Sequence, residues 1–498
     1  MPFLDQLARN RRERPDHPAI LHEGRRVSFA ELVHSSNRFA NALRELGVAK
    51  GDRVTLLLGN SVEWVVAAFG ALKAGAILNP VNPDLGRDEL GFILGHSEPR
   101  VVVSDAAGAD ALPLPPSATL AAFGRVPGAR ALDALLAAAS DDPCPIAVTP
   151  DDASTLLYTS GTTGPPKGVL FTHGRTGGSG SIFVDGMGLG RDDVVLTVGP
   201  LFHGNAWAAL TVAQQAGCTV AFPKAFSASD FWPLAERTGA TALFTLGTIL
   251  AILLAQEPGP HERAGRIRTV LGLGSAPLRE RLAERFGFAH VLECFGSTDA
   301  GVVTLEPLGA PPRAGSAGPA IPGVAIHILD DEGRELPAGE VGEIAVDSPH
   351  RMACYFRDPE RTREALRGEW FLTGDLGFLD GDGWLYFVDR KRDVIRRGGE
   401  NVSSVQVEKV LREHPAVADV AVVGIRDPVL GQEIKAFVVP RRPVTGDELA
   451  AFARARLAKF QVPRLWELRD SLPKTPTQRV EKYKLRGEPQ EPRGGLLG

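Results

Sequence analysis

The sequence contains few cysteines. Its 498 residues include four of them, Cys144, Cys218, Cys294 and Cys354, and no two form a Cys-x-x-Cys pair. Disulfide frameworks and structural zinc sites need cysteines at close, regular spacing. We therefore expect neither, and the composition is consistent with a reducing compartment.

An excess of basic residues and long apolar runs are also missing. The formal net charge is −5, whereas a nucleic-acid binder usually has a strongly basic surface, so we expect no nucleic-acid partner. No segment approaches the roughly 18 to 20 uncharged apolar residues of a membrane span. The N-terminal MPFLDQLARNRRERPDHP has no apolar signal core. These absences predict a cytoplasmic protein without a membrane span and leave the oligomeric state open.

What is present is the composition of a large globular protein, 44% hydrophobic and 23% charged, with room for roughly two to four domains. Arg53–Asn60 has the pattern of a buried strand, and Ser61 is placed to cap a helix whose apolar face holds Trp64, Val65 and Leu72. Further strand-like runs begin at Asp193, Cys218, Ala242 and Thr269. Strands that alternate with helices predict parallel α/β sheets.

The pattern changes after a loop rich in proline and glycine at Pro307–Pro322. The runs GVAIHILDDEG, GEVGEIAVDS and GDGWLYFVDR predict short strands, and therefore a small β-rich subdomain. A charged and then glycine-rich stretch near Asp389–Arg397 has the composition of a linker. We predict an N-terminal domain over residues 1–391 and a C-terminal domain over residues 392–498.

The C-terminal domain is predicted to be a small α+β unit. Val405, Val407, Val410 and Leu411 mark a helix, and VADVAVVGI and EIKAFVVP have the pattern of strands. A second helix is predicted over Thr445–Phe460, where Thr445 and Glu448 form a capping box. Its predicted inward face is Leu449, Phe452, Ala453 and Leu457, and its outward face is Arg454, Arg456 and Lys459.

The run TSGTTGPPKG, from Thr159 to Gly168, offers no side chains for a core. Its backbone N–H groups and hydroxyls can converge on phosphate oxygens, its glycines allow a close approach, and Lys167 supplies a positive charge. Pro165 and Pro166 lack N–H groups and stiffen the loop. A surface turn is the plainer alternative. A Walker-type P-loop fits poorly, because Gly168 stands where that motif needs Ser or Thr.

Several further runs complete a pattern. In chain order they are LLYTSGTTGPPKGVLFTHG, PLFHGNAW, GLGSAPL, ECFGSTDAG, WFLTGDLGFLDGDGWLYFVDRKRDVIRRGGENV and LPKTPTQRVEKYKLR. Together they resemble the adenylate-forming superfamily of acyl-CoA synthetases, adenylation domains and luciferases, over nearly the whole chain. The runs FSASDFW and LLAQEP are most similar to its crotonobetaine/carnitine-CoA ligase-like branch.

The resemblance implies a fold and a reaction. The expected fold is α/β, with a large N-terminal domain of two α/β subdomains plus a small β-rich subdomain, followed by a small mobile α+β C-terminal domain. The active site is expected in the cleft between the domains. The expected enzyme is an ATP-dependent, AMP-forming acid:CoA ligase. It would use Mg²⁺ to activate a small or medium organic acid as acyl-adenylate, and CoA as co-substrate.

The resemblance also implies an ATP site. Contacts to the β- and γ-phosphates are expected from Thr159, Ser160, Gly161, Thr162, Thr163, Gly164 and Lys167, and contacts to adenine from Gly274, Ser275, Ala276 and Pro277. The aromatic-Gly-x-Thr motif corresponds to Phe295, Gly296, Ser297 and Thr298, of which Thr298 would contact the α-phosphate. Asp375 would accept both ribose hydroxyls, and Arg390 would make a second ribose or phosphate contact. Asp299 stands where the family usually has a Mg²⁺-binding Glu, and it keeps the hard oxygen ligand on a shorter side chain.

Other roles follow from the same resemblance. His203 would lie near the reacting carboxylate, and the other pocket candidates are Asn205, Trp207, Gly247, Thr248 and Cys294. A structural role for His203 and a core position for Trp207 stay open as alternatives. Arg392 occupies the hinge about which the C-terminal domain is expected to rotate between the two half-reactions. Gly398, Gly399 and Glu400 would line the CoA tunnel.

The C-terminal loop departs from the family pattern PKTxxGK, whose lysine bridges the substrate carboxylate and the α-phosphate. Here it reads PKTPTQRVEK, so Gln478 and Arg479 replace Gly-Lys. Arginine keeps the positive charge but presents a planar fork. Either Arg479 performs the lysine's role, or the acid is one that suits a guanidinium, or adenylation is weak. Lys474 and Lys482 are the alternative cations.

Three functions therefore stay open. The first is the acid:CoA ligase. The second is an adenylating enzyme with another acceptor, such as a carrier protein or an amine, or with a non-carboxylate acid such as nitrite, which leads to diazotisation. The third is a nucleotide-binding pseudoenzyme.

Overall fold

The structure is a computed structural model that describes residues 3–105, 112–159, 166–176, 180–262, 266–397, 400–427, 429–475 and 480–486. The chain divides into two compact units. The first is Met1–Ile326, Ala345–Thr373 and Asp382–Leu385, and the second is His327–Ile344, Gly374–Gly381 and Tyr386–Gly498. Within the described ranges, no helix combines the length and the apolar character needed to cross a membrane.

The helices and strands follow each other in an α/β order. The α-helices are α1 (Phe3–Glu13), α2 (Phe29–Glu45), α3 (Val62–Lys73), α4 (Arg87–Ser97), α5 (Leu132–Ala138), α6 (His173–Thr176), α7 (Gly180–Gly186), α8 (Gly204–Ala216), α9 (Phe231–Thr238), α10 (Gly247–Ala255), α11 (Arg279–Phe286), α12 (Pro359–Ala365), α13 (Ser404–Arg412), α14 (Gly446–Arg454) and α15 (Lys482–Arg486). The strands are β1 (Pro18–His22), β2 (Arg25–Ser28), β3 (Arg53–Leu57), β4 (Ile77–Pro80), β5 (Val101–Ser104), β6 (Thr119–Ala122), β7 (Arg130–Ala131), β8 (Ala153–Thr159), β9 (Lys167–Thr172), β10 (Val194–Thr197), β11 (Thr219–Ala221), β12 (Ala242–Leu246), β13 (Thr269–Leu273), β14 (His290–Leu292), β15 (Gly296–Ser297), β16 (Gly301–Val302), β17 (Ala325–Leu329), β18 (Gly342–Asp347), β19 (Cys354–Tyr355), β20 (Leu366–Arg367), β21 (Trp370–Leu379), β22 (Leu385–Arg390), β23 (Ile395–Arg397), β24 (Glu400–Val402), β25 (Val417–Asp427), β26 (Gly431–Pro440) and β27 (Leu465–Leu468). Short 3₁₀ helices span Ala276–Leu278 and Lys459–Gln461.

The first large sheet has eight strands in the order β19-β9-β8-β4-β3-β5-β6-β7. In this order, the strands β8, β4, β3, β5, β6 and β7 each pair in parallel with the next. The pairs β8–β9 and β9–β19 are antiparallel. The predicted strand at Arg53–Asn60 is β3. Ser61 caps α3 as expected, because its side-chain oxygen accepts a hydrogen bond of 3.1 Å from the Trp64 N–H.

The second large sheet has seven strands in the order β14-β13-β12-β10-β11-β1-β2. The predicted strands near Asp193, Cys218, Ala242 and Thr269 are β10, β11, β12 and β13, and they pair in parallel. The sequence analysis did not identify β1, which pairs in parallel with β11. A continuous core contains side chains from both sheets and from α2, α3 and α8.

A third sheet has the order β17-β18-β21-β20, with β22 beside β21, and corresponds to the predicted β-rich subdomain. The C-terminal sheet has the order β24-β23-β26-β25, with β27 beside β26. Thr445 and Glu448 form the predicted capping box of α14. The predicted end of this helix at Phe460 is wrong, because α14 ends at Arg454. The turn that follows still buries Leu457, so the apolar spacing continues past the helix and conceals its end.

Candidate active site

The predicted phosphate loop connects the two strands of an antiparallel hairpin, β8 and β9. Thr159, the last residue of β8, pairs with Lys167, the first residue of β9. The expected contacts Ser160, Gly161, Thr162, Thr163 and Gly164 lie between them, outside the described residues. The side-chain oxygen of Thr159 is buried and has no hydrogen-bond partner among the residues that the structure describes. The hairpin brings both ends of the motif together.

Lys167 belongs to a group of three polar side chains that we call the lysine–aspartate cluster. Its Nζ forms an ion pair with Oδ2 of Asp299 and donates a hydrogen bond of 2.9 Å to the Tyr355 hydroxyl. That hydroxyl donates to Oδ2 of Asp299 at 2.6 Å. The cluster therefore consists of one cation, one carboxylate and one phenol that contacts both.

Three separate segments bring the lysine–aspartate cluster together. Lys167 begins β9, and Tyr355 of β19 pairs with Val169 of β9. Asp299 lies in the turn between β15 and β16. The Met352 N–H donates a hydrogen bond of 2.8 Å to the Asp299 carbonyl oxygen, which ties this turn to the chain that leads into β19.

Tyr355 is a site residue that the sequence analysis missed. Burial raises the pKa of its hydroxyl far above its usual range, and the neighbouring Asp299 carboxylate adds to this effect. The phenol therefore stays protonated and able to donate. Its place depends on the pairing of β19 with β9, and 188 residues separate it from Lys167, so no local pattern in the sequence indicates it.

The aromatic-Gly-x-Thr motif forms the β15–β16 hairpin. A Cβ at Gly296 would lie 2.5 Å from the carbonyl oxygen of Gly301 on the opposite strand, so glycine permits this tight pairing. The Ser297 hydroxyl accepts a hydrogen bond of 3.1 Å from a backbone N–H of the turn. Thr298 is half-buried in the turn beside Asp299. The α-phosphate and metal candidates are therefore adjacent at the tip of one hairpin.

The predicted adenine loop follows β13 and continues into the 3₁₀ helix Ala276–Leu278, which contains Pro277. Gly274 has a φ of +79°, a conformation that favours glycine. Ser275 is buried. A Cβ at Gly247, the first residue of α10, would collide with the Gly274 carbonyl oxygen. Gly247, predicted as a pocket residue, thus lets α10 approach the adenine loop closely.

Beside this loop lies Glu293, a carboxylate that the sequence analysis did not assign. Its Oε1 accepts a hydrogen bond from the Gly274 N–H and its Oε2 accepts one from the Ala276 N–H, both of 2.8 Å. The Cys294 N–H donates to Oε1 at 3.2 Å. Burial raises the pKa of Glu293 to about 7, although these three N–H groups act to lower it.

A second buried glutamate, Glu306, lies next to the first. Its Oε2 accepts a hydrogen bond of 2.8 Å from the Glu293 N–H and forms an ion pair with Arg279 of α11. The Glu306 N–H donates to the Glu293 carbonyl oxygen at 3.0 Å. Burial raises the pKa of Glu306 as well. We call Glu293, Glu306 and Arg279 the glutamate cluster, which contains two carboxyl groups and one cation.

The predicted pocket residues lie in different surroundings. His203 is the N-cap residue of α8, and its Nδ1 accepts a hydrogen bond of 3.4 Å from the Asn205 N–H. Trp207 is buried, and its ring packs edge-on against Trp64 and Phe69, with centroid distances of 5.8 and 6.2 Å. Trp207 is thus a core residue, one of the two alternatives that the sequence left open.

Three further predicted residues are Cys294 and Phe295, which lie between β14 and β15, and Thr248, which lies on α10. Cys294 is buried, and burial together with the Glu293 carboxyl raises the pKa of its thiol. Phe295 is also buried, and its N–H donates a hydrogen bond of 2.9 Å to the Thr304 side chain. Thr248 is exposed on α10. The raised pKa of Cys294 favours the protonated thiol, which is a weaker nucleophile than a thiolate.

In the second unit, Asp375 of β21 and Arg390 of β22 form an ion pair with 3.5 Å between Oδ1 and Nε. Asp375 is 6% exposed. Arg392 follows β22 in a turn, where its side chain is exposed. The ribose candidate and the hinge candidate therefore lie on neighbouring segments of this unit.

Several C-terminal predictions fall outside the described residues, namely Gly398, Gly399, Gln478 and Arg479. Glu400 begins β24 and is exposed.

The two lysines near Arg479 in sequence are both engaged in ion pairs. Lys474 Nζ lies 2.6 Å from Oδ2 of Asp419. Lys482 Nζ lies 2.7 Å from Oε1 of Glu408 and donates a hydrogen bond of 2.7 Å to the Ser404 hydroxyl. Each lysine thus already has a carboxylate partner within the second unit.

No group of three or more His, Cys, Asp or Glu side chains within the described ranges is arranged to hold a metal ion. Asp299 is a single carboxylate of the lysine–aspartate cluster. Mg²⁺ in nucleotide sites is commonly held by one or two carboxylates together with phosphates and water. The Asp299 oxygens fit that mode, whereas a closed all-protein metal site is not formed by the described residues.

Comparison with known sequences assigns the chain to a family. The AMP-binding enzyme family matches residues 7–356, and the AMP-binding enzyme C-terminal domain matches residues 406–479. The chain belongs to the AMP-binding enzyme family. The predicted resemblance to the adenylate-forming superfamily is thereby confirmed.

Related AMP-binding enzymes are similar along almost their whole length. A fatty acid–[acyl-carrier-protein] ligase, ScoC, of Streptomyces coeruleorubidus is 36% identical over 95% of this chain and 93% of its own. A feruloyl-CoA synthase of an Amycolatopsis species is 36% identical over 96% and 97%. A crotonobetaine/carnitine–CoA ligase of Salmonella paratyphi A is 35% identical over 93% of each chain.

Solved structures of the family have the same fold. ATP-bound MatB from Rhodopseudomonas palustris superposes with a TM-score of 0.89 at 30% identity, covering 98% of each chain. The o-succinylbenzoate CoA synthetase MenE from Bacillus subtilis, in complex with its acyl-adenylate, gives a TM-score of 0.87 at 31% identity, covering 100% of this chain and 99% of its own. The predicted α/β fold, with a large N-terminal and a small C-terminal domain, is confirmed.

These relatives also confirm the predicted reaction class. The protein is an AMP-forming acid–thiol ligase. The lysine–aspartate cluster and the adenine loop are the described parts of the first unit that suit a nucleotide, since they offer a cation, a hard oxygen ligand and a glycine turn.

Proposed function

We propose that the enzyme activates a small or medium organic acid in two steps. A carboxylate oxygen attacks the α-phosphorus of Mg-ATP, the bond to the bridging oxygen breaks, and pyrophosphate leaves. The CoA thiolate then attacks the acyl carbon, and AMP leaves with the bonding electrons. The observation that carries the proposal is the lysine–aspartate cluster, which pairs a candidate phosphate ligand with a candidate metal ligand beside the phosphate loop.

In this proposal the binding of Mg-ATP replaces the contacts within the lysine–aspartate cluster. Lys167 turns from Asp299 to the β- and γ-phosphates, with the backbone and hydroxyls of residues 159–164. Asp299 becomes free to hold Mg²⁺, which supplies charge neutralisation on the triphosphate when bound. Tyr355 retains one of its two hydrogen bonds and limits the rotation of Asp299.

The remaining nucleotide contacts are proposed residue by residue. Gly274, Ser275, Ala276 and Pro277 line the adenine, and Phe295, Gly296 and Ser297 support Thr298 at the α-phosphate. Asp375 accepts the ribose hydroxyls with both oxygens, and Arg390 makes the adjacent contact. Support comes from the burial of Asp375 and its pairing with Arg390.

Arg479 is proposed to bridge the substrate carboxylate and the α-phosphate, in the role of the family lysine. Its support comes from the two alternative cations. Lys474 and Lys482, the alternative cations, are each held by a carboxylate of the second unit. Freeing Lys482 would break its ion pair of 2.7 Å with the buried Glu408 and leave that carboxylate the longer ion pair of 3.3 Å with Arg412, so recruitment of Arg479 is favoured.

The remaining roles follow the resemblance. His203, Asn205, Gly247 and Cys294 line the acid pocket, with Trp207 as the wall behind them. Arg392 is the hinge, and Gly398, Gly399 and Glu400 line the path of the CoA thiol. A carrier-protein phosphopantetheine is the second candidate acceptor, because ScoC, whose name gives a carrier-protein acceptor, is 36% identical to this chain.

The test is pyrophosphate release from Mg-ATP with short-chain, aromatic and carnitine-like acids and with nitrite, each with and without CoA. The expected result is CoA-dependent turnover of one carboxylic acid. Arg479→Ala should lower the adenylation rate by about 100-fold or more, whereas Arg479→Lys should retain most of it. Release that is indifferent to CoA points to another acceptor or to nitrite. No release with any acid would contradict the proposal.

A further inference from the structure

We propose that Glu293 is a positioning residue for the nucleotide base, because its carboxylate holds the adenine loop in the shape that accepts the base. Glu293 contacts the loop backbone and acts on ATP through it. The inference rests on the proposed role of Gly274–Pro277 in adenine binding.

The geometry of the two hydrogen bonds carries this proposal. The two carboxylate oxygens accept separately from the Gly274 and Ala276 N–H groups, each at 2.8 Å. These N–H groups flank Ser275, so the carboxylate clamps both ends of the turn. An ionised carboxylate is the side chain that offers two acceptor oxygens and no donor.

A second constraint on the loop is its close approach to α10. A Cβ at Gly247 would collide with the Gly274 carbonyl oxygen, so the backbone of α10 leaves the loop no room to move in that direction. Glu293 adds to this constraint the hydrogen bonds to the Gly274 and Ala276 N–H groups. Loss of one of its acceptors frees one loop N–H and lets the turn shift.

The side chains around Glu293 do not stabilise its ionised form. Glu306 faces it from the segment after β16, Arg279 from α11, and the Cys294 thiol is adjacent. The one cation among these groups, Arg279, forms its ion pair with Glu306. Burial and the second carboxyl thus favour protonation, whereas the loop N–H groups favour ionisation. Such a conflict is typical of a side chain retained for function.

A consequence is that the affinity for ATP depends on the protonation of Glu293. Burial raises its pKa to about 7, so the loop is clamped above neutral pH. Below it, one oxygen carries a proton and becomes a poor acceptor. The dissociation constant for ATP should therefore rise as the pH falls from about 8 to about 6.

The experiment measures ATP binding by calorimetry with the full chain and with Glu293→Gln, which keeps the size but offers one acceptor. At about pH 8 the substitution should raise the dissociation constant for ATP by about tenfold, the effect of one hydrogen bond to a charged group. Toward about pH 6 the difference should shrink, because wild type loses the same acceptor. Inorganic tripolyphosphate, which has no base, should bind both proteins equally.

Glu262→Gln is the matched control. Glu262 is also buried in the first unit and pairs with the Arg285 side chain, so its loss removes a buried carboxylate without touching the adenine loop. This variant should bind ATP as wild type does at each pH. In steady-state assays, Glu293→Gln should raise KM for ATP and leave KM for the acid unchanged.

The outcomes separate this inference from the proposed function. Wild type that binds ATP and releases pyrophosphate, with Glu293→Gln equal to it at every pH, overturns the inference alone. Wild type that neither binds ATP nor releases pyrophosphate overturns both. If Glu293→Gln does not fold, the test is the binding of ATP and of tripolyphosphate to the wild type at several pH values. An equal pH dependence of the two dissociation constants overturns the inference, and a steeper pH dependence for ATP supports it.

Discussion

The β15–β16 hairpin carries charge at both ends, and the two ends differ. At its tip, Asp299 is balanced by the Lys167 ammonium and by the Tyr355 phenol. At its base, Glu293 and Glu306 face each other with Arg279 as the cation. The tip is thus neutral in sum, whereas the base has an excess of carboxyl groups.

The partners differ as much as the charges do. The Asp299 carboxylate is held by side chains, which can rotate toward an incoming phosphate or metal. The Glu293 carboxylate is held by backbone N–H groups of the adenine loop, which cannot leave without unfolding the turn. The same hairpin therefore connects a site whose side-chain contacts can be exchanged for ligand contacts to a support whose contacts are made with the backbone of a turn. Substitutions at the tip should affect the chemical step or the use of Mg-ATP, and substitutions at the base should affect the binding of the nucleotide base and stability.

The largest effect is expected at the tip, from Asp299→Ala. It removes the proposed metal ligand and leaves Lys167 without its carboxylate, so kcat/KM for pyrophosphate release should fall by about 100-fold. The Mg²⁺ concentration needed for half-maximal rate should rise. Asp230→Ala is the matched control, because Asp230 pairs with Arg237 at an exposed site, and it should retain wild-type rates. Equal rates for Asp299→Ala and wild type would contradict the role of the tip.

A smaller effect is expected from Tyr355→Phe, which removes the hydroxyl between Lys167 and Asp299 and keeps the ring. Because that hydroxyl bonds to two charged groups, KM for Mg-ATP should rise by about tenfold, with a smaller change in kcat. The measurement is initial pyrophosphate release over a range of Mg-ATP concentrations. Tyr386→Phe, which loses a hydrogen bond of 3.3 Å to Asp380 in the second unit, should leave KM unchanged. An unchanged KM in Tyr355→Phe would show that the phenol is not needed at the tip.

The tip and the base also differ in how far the sequence predicts them. Motif order was sufficient to identify Lys167, Thr298 and Asp299 as candidates, because the signature residues are contiguous in the chain. The partners were not predicted. Tyr355 reaches Lys167 only through the pairing of β19 with β9, and Glu293 reaches Gly274 across the edge of a parallel sheet. Such contacts depend on strand order, which local patterns do not contain.

The same distinction applies to the fold. The α/β alternation, the cap at Ser61 and the capping box of α14 were predicted, because each depends on residues within a few positions of one another. The pairing of β1 with β11 was not predicted, because the two strands are far apart in the chain. The end of α14 was misplaced because Leu457 keeps the buried spacing after the helix has stopped.

The smallest effect is expected at the base, in the stability of Glu293→Gln. A carboxyl whose pKa is raised in the folded state, here from 4.5 to about 7, stabilises the fold below its unfolded pKa and loses that contribution as the pH rises through the folded pKa. Wild type should therefore lose about 1 to 2 kcal/mol of unfolding free energy relative to Glu293→Gln between about pH 5.5 and about pH 8.

Urea unfolding at several pH values measures this difference, with Glu262→Gln as the control. The hydrogen bond from the Arg285 guanidinium lowers the pKa of Glu262 and outweighs the opposite effect of burial, so its variant should show no such decline over the same range. Because Glu306 faces Glu293, the two carboxyls titrate as a pair, and the midpoint belongs to both. If the difference in unfolding free energy between the wild type and Glu293→Gln stays constant with pH, Glu293 is ionised throughout this range. The base and the tip would then differ only in the groups that hold their carboxylates, and not in their protonation.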